Sequence, residues 1–243
     1  MSRVSTAVNL IAVLALGGCA LGGGSGDFAE IPGVGSTRVD VPRPTGAASA
    51  ACDDDPLPPA ADAAIADRAI AMREIGLFAD RAALSDEALG AAIDQAVADT
   101  WGAPDDIPQD VLDLAVAEQD HARVWWRDLE ADVVDGNDVY AETLAEWAEI
   151  SVGAFEPTDI TENWDGAEGP VFVEFDQKGT RHFLAPAYLE DWIDPGILVG
   201  INELIAGSGH RFELYEAFDQ TAFLMALTDE ERRSLEARGW CFE

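Results

Sequence analysis

The stretch Val171-Phe172-Val173-Glu174-Phe175-Asp176-Gln177-Lys178-Gly179-Thr180-Arg181-His182-Phe183-Leu184 decides the fold class. Two β-favouring runs flank a short polar turn, and in the second run His182 and Leu184 fall on one side of an extended chain while Arg181 and Phe183 fall on the other. That pattern predicts a β-hairpin starting just after Gly169-Pro170. Toward the C-terminus, Pro195 can open a helix through Ile197, Leu198, Ile201, Leu204 and Ile205, stopped at Gly207-Ser208-Gly209. Two further apolar runs follow, Arg211 to Tyr215 and Thr221 to Leu227. A last helix is announced by Thr228 with Glu231 three residues on, a capping box, and by Gly239 beyond its end. The order ββαββα implies a four-stranded, mainly antiparallel sheet with helices on one face. Trp240-Cys241-Phe242 is apolar, so that end should be packed.

On the N-terminal side the spacing becomes helical. Ile65, Ala69, Met72, Ile75 and Phe78 recur every three to four residues, and so do Leu89, Ile93, Val97 and Trp101, with Ser85 before an acidic first turn and Gly102 past the end. Apolar positions from Val111 through Trp125, Trp126 and Leu129 to Val133 predict a long helix broken at Asp135-Gly136-Asn137. Asn137 would cap a fourth helix carrying Tyr140, Leu144, Trp147 and Ile150. The expected fold class is therefore α+β: a helical region of about four helices over 60–156, then an α+β domain over 157–243, the two packing as one domain or standing apart.

Before residue 60 the composition changes. Residues 19–59 are rich in Gly, Ala, Pro and Asp, with no periodic apolar face, and read as a disordered tether. Residues 1–18 read as a signal peptide: Arg3 is the only charge, and the apolar run Leu10 to Leu16 is too short to span a bilayer. Leu16-Gly17-Gly18-Cys19 resembles the lipobox of bacterial lipoproteins. The resemblance implies removal of the leader, acylation at Cys19, and a membrane-anchored protein of the cell envelope facing an extracytoplasmic compartment. Tyr140 through Trp240 also resembles uncharacterised exported proteins of GC-rich bacteria, which implies no activity.

Charge limits the company such a protein keeps. Asp and Glu number 47 against 14 Lys and Arg, giving a formal net charge of −33, and Lys178 is the only lysine. Nucleic acid and anionic head groups are repelled. Two readings account for the charge: a solvated surface suited to high ionic strength, or a face that captures a basic protein partner. The scatter of acids over nearly every segment favours the first. With Cys19 given to lipid, Cys52 and Cys241 remain, and an oxidising compartment allows them one disulfide. Closing so long a loop would contribute on the order of 4 kcal/mol; the alternative is two separate thiols.

Motifs with chemistry in them are fragmentary. Asp135-Gly136 with Glu142 matches part of a calcium loop, but Ala131 and Val133 stand where two ligands belong. Glu118-x-x-His121 has the spacing of half a di-iron site, with no second such pair. His182 and His210 could converge in the sheet, Asp176-x-Lys178 sits in a turn, and Asp53-Asp54-Asp55 reads as solvated charge. Trp125, Trp126, Trp147, Trp164, Trp192 and Trp240, interleaved with Glu149, Glu162, Asp165, Glu190 and Asp191, could line a glycan groove or simply fill a core. No catalytic, cofactor or metal residue is assigned. The expected function is non-enzymatic: a lipid-anchored, acidic protein-binding or accessory module, immunity-like in its most specific form. The rival is an envelope hydrolase acting on cell-wall glycan or peptide.

Overall fold

The computed structural model describes residues 37–38, 63–109, 111–216 and 220–242. The expected leader, Cys19, Cys52 and the expected tether apart from Thr37–Arg38 lie outside them. In chain order the elements are β1 (Thr37–Arg38), α1 (Ile65–Ile75), α2 (Asp86–Trp101), α3 (Leu112–Ala117), β2 (Val124–Asp128), α4 (Val139–Ile150) and β3 (Thr158–Trp164). They continue with β4 (Val171–Gln177), β5 (Thr180–Leu184), α5 (Ile197–Ile205), β6 (Arg211–Glu216), β7 (Thr221–Leu227) and α6 (Asp229–Glu236). Helix and strand mix as expected, but the four-stranded sheet does not form.

Instead the two hairpins enter separate sheets, each built on three antiparallel strands: β5-β4-β3, with β1 parallel along β5, and β2-β7-β6. Burial explains the split. β4 alternates buried and half-buried positions, so only one of its faces needs cover. β7 is buried from Ala222 through Leu227 and needs cover on both faces. With both faces packed away from water, its backbone must be paired on both edges, so β7 takes a second neighbour, β2, and sits inside the molecule. Val124, Phe223, Met225 and Leu227 face a core shared with α1, α2, α3 and Leu235 of α6. Trp125, Leu224, Ala226, Phe212 and Leu214 face a second core shared with α4, α5 and the inner face of the outer sheet.

β2 corrects the expected long helix. Helix α3 stops at Ala117, the chain turns, and Val124-Trp125-Trp126 runs extended. These are β-branched and aromatic residues, and their alternation between the two cores is the period of a strand. The expected N-terminal helical layer is thereby divided: α1, α2 and α3 cover one face of the central sheet and α4 the other. β3, polar and half exposed, carries too weak an alternation to announce itself.

Local chemistry fixes each helix. Ser85 Oγ accepts the Ala88 N–H at the start of α2, and α2 lies so close to α1 that a Cβ on Gly90 would sit 2.7 Å from that of Ala66. α4 is not capped by Asn137, which bonds to Asp132 instead. Glu162, reaching across from β3, accepts the N–H groups of Tyr140 and Ala141 at 2.8 and 3.2 Å, an anion on the positive helix end. In α6 the expected capping box is present. Glu231 Oε1 also accepts Arg123 Nη2 at 3.0 Å, while Arg123 donates to the carbonyls of Gly76 and Ala226. Burial works to raise the Glu231 pKa, but the Thr228 amide and Arg123 outweigh it and hold it below the usual value. Residue 76 must be glycine here: its φ is +126°, and a side chain would strike the Glu231 carboxylate. Arg68, 2% exposed, is neutralised by Asp113 at 2.6 Å, which also meets Arg238 at 3.3 Å. Among the described residues no helix is long and apolar enough to cross a membrane.

Candidate functional site

Where β2 meets solvent, a cleft of about 320 Å³ opens beside it. Its floor is four consecutive β2 residues, Val124 to Arg127. One wall is the turn after α3, with Glu118 and His121; the other is α4, with Glu146, Glu149 and Ile150. The wall residues of α4 stand three and four apart, the spacing that puts helical side chains on one face.

Aromatic packing holds the cleft rigid. Trp126 is stacked between Trp101 and Phe223, each ring centroid 4.9 Å away. Trp125 points to the opposite face of the sheet and meets Trp147 edge-on at 5.7 Å. Each layer then fixes a carboxylate. Trp101 Nε1 donates to Glu118 Oε2, and Trp125 Nε1 donates to Glu146 Oε2 at 2.6 Å. Arg127 forks onto Glu146, with Nη2 2.6 Å from Oε1 and Nε 3.3 Å from Oε2. Three carboxylates thus stand against one guanidinium, which is already paired. Burial pushes the Glu118 carboxyl above the ordinary range, more than the indole bond pulls it down, so this wall holds a proton more readily than a surface glutamate.

The backbone of the floor is also distinctive. β2 is the edge of its sheet. Leu129 N–H donates to Gln220 O at 2.8 Å, so by the alternation of an antiparallel ladder Trp125 and Arg127 bond to β7, whereas Trp126 and Asp128 turn their backbone groups outward. The Trp126 amide and carbonyl find no hydrogen-bond partner among the described residues. Past the strand the edge closes: Ile193 N–H reaches Leu129 O at 2.8 Å and Ala131 N–H reaches Asp191 O at 2.7 Å.

Of the residues singled out in the sequence, Glu118, His121, Trp125, Trp126 and Glu149 come together here. Others do not. His182 is buried against Phe175 in the outer sheet, and His210 precedes β6 of the central one. Trp147 and Trp240 belong to the cores, and Glu162 is a helix cap. Asp176 pairs with Arg181 at 3.7 Å beside the Lys178 turn. Among the described residues no three His, Cys, Asp or Glu gather as a metal site. Cys241 is disulfide-bonded, its partner lying outside the described residues. The open strand edge and the Trp101–Trp126–Phe223 stack were missed by sequence reasoning; β-propensity at Val124-Trp125-Trp126 was the signal that could have found them. No protein-family model, curated protein or solved structure matches the chain.

Proposed function

We propose that this chain is a lipid-anchored, acidic accessory protein of the cell envelope that captures a basic protein partner in the cleft between the α3–β2 turn and α4. The observation that carries the reading is three carboxylates against one guanidinium in a single cleft: Trp101 fixes Glu118, Arg127 is taken up by Glu146, and Glu118 and Glu149 keep charges that no cation of the cleft neutralises. Carboxylates fixed in place by rigid aromatic layers form a preorganised anionic surface, which binds cations without first ordering its own side chains. In its most specific form the module neutralises its partner, as an immunity protein does. The anchor is acyl chains on Cys19, and Cys52 is the disulfide partner of Cys241, leaving the Cys19 thiol for lipid. Nucleic acid is not a partner, because the net charge of −33 repels it.

The rival, an envelope hydrolase acting on cell-wall glycan or peptide, draws support from Glu118 alone: a carboxyl with a raised pKa beside other carboxylates is suited to donate a proton. Capture is the better reading because both oxygens of Glu146 are already engaged, and Glu149, the remaining carboxylate of the cleft, has no hydrogen bond among the described residues that would orient it as a catalytic partner of Glu118. The test is affinity purification from detergent-solubilised envelope with wild type, Glu118→Gln/Glu149→Gln and Cys19→Ala. Capture predicts a basic protein retained by wild type and lost by the double variant. Release of reducing sugar or peptide from purified cell wall, abolished by Glu118→Gln, would decide for the hydrolase. Cys19→Ala should leave the membrane fraction, and Cys52→Ser should expose a reactive Cys241 thiol; if Cys19→Ala exposes that thiol instead, lipidation of Cys19 is wrong.

A further inference from the structure

We infer that the captured partner binds as an added β-strand along the open edge of β2, and that its docking segment carries two adjacent basic residues. The inference rests on the capture reading and specifies its geometry. An exposed strand edge is a template for pairing with another chain, and proteins ordinarily cover or blunt it. At the other edge of this sheet Asn202 of α5 covers one residue, accepting the Phe212 N–H at 2.8 Å and donating to the Phe212 carbonyl at 2.9 Å, while the next outward residue, Leu214, has no backbone partner among the described residues. At β2 the outward amide and carbonyl of Trp126 have no partner among the described residues, and Trp126, unlike Leu214, is one of the residues lining the acidic cleft.

Charge decides what kind of strand fits. Successive side chains of an extended segment point to opposite sides. A segment lying against β2 therefore sends one side chain toward the Glu118 wall and the next toward the Glu149 wall. Both walls are acidic, and Arg127 already belongs to Glu146, so the uncompensated charges are Glu118 and Glu149. Two consecutive lysines or arginines in a β-favouring run satisfy both at once. A second copy of this chain is excluded as occupant by the same carboxylates, which would face one another.

The probe is the octapeptide Thr-Val-Thr-Lys-Lys-Thr-Val-Thr, blocked at both ends, added to the full chain at low ionic strength. Binding should slow amide exchange at Trp126 and Asp128 by about tenfold or more while leaving Arg127, already bonded to β7, unchanged. Methylating the peptide nitrogens at alternate residues should cost about tenfold in affinity for one of the two alternate sets and little for the other. An isomer whose lysines are separated by one threonine, sending both to one wall, should bind several-fold more weakly. If neither methylated set loses affinity and exchange at Trp126 is unaffected, strand addition is wrong; capture itself then stands if Glu118→Gln/Glu149→Gln still weakens binding. If no lysine peptide binds the wild-type chain, both readings fall.

Discussion

At one edge of the central sheet, Asn202 occupies the backbone of Phe212 with two hydrogen bonds; at the other, the backbone of Trp126 faces a cleft walled by glutamates. At Phe212 the β6 edge is satisfied from within, by a side chain whose amide mimics the next strand, while Leu214 on the same edge turns its backbone outward without a partner among the described residues. The β2 edge is kept rigid by tryptophans and surrounded by charge, yet not filled. The difference teaches that the same structural problem, an unpaired strand, has a folding solution on one side and, in our proposal, a functional one on the other.

The comparison can be broken first at β6. Asn202→Leu leaves a buried amide and carbonyl without partners, each costing about 1–3 kcal/mol. A loss of about 3 kcal/mol, read as a lower urea midpoint, is expected. The corresponding change at β2, Glu118→Gln with Glu149→Gln, should leave stability within about 0.5 kcal/mol of wild type, because no buried pairing is lost. Affinity for a basic peptide should nevertheless fall about tenfold, or about 1.4 kcal/mol.

A pH series sharpens the contrast further. Glu213 on β6 is 1% exposed, with Arg211 and Arg232 at 3.5 and 3.4 Å. Burial raises its pKa above the ordinary 4.5, ahead of the pull from the two arginines. The folded state therefore holds this proton more tightly than the unfolded chain does. Its stabilising contribution is full below pH 4.5 and is lost as the pH climbs through the raised value. Denaturation of Glu213→Gln alongside wild type should show the variant gaining relative stability across that window; an unchanged difference would contradict the assignment. The smallest effect belongs to the solvated face of the outer sheet, where Glu174→Ala breaks a half-exposed pair with Arg181 and should cost no more than about 1 kcal/mol.

The legible parts of the molecule were those where one signal acted alone. The capping box at Thr228, the Ser85 position before α2 and the alternation of β5, with His182 and Leu184 on its buried side, were written in neighbouring residues and formed as read. Sheet membership was not, since β7, packed on both faces, needs its backbone paired on both edges, and the second partner is a strand about a hundred residues away in sequence. Val124-Trp125-Trp126 could be fitted to helix or strand by its apolar pattern, and packing between two cores selected the strand. For the site, Glu118, His121, Trp125, Trp126 and Glu149 were noticed separately, within a di-iron motif and a glycan groove. Their union in one cleft follows from the turn after α3 and from α4 crossing beside β2, neither of which a linear spacing encodes.

The most direct test of the acidic cleft as a capture surface is site-specific photo-crosslinking in intact envelopes. A photoreactive residue replaces His121 at the cleft in one variant and Lys178 on the distant hairpin turn in another. Capture predicts a crosslinked protein at position 121 only, its attachment mapped to a lysine- or arginine-bearing extended segment. Equal crosslinking at both positions, or a product at 178 alone, would contradict it.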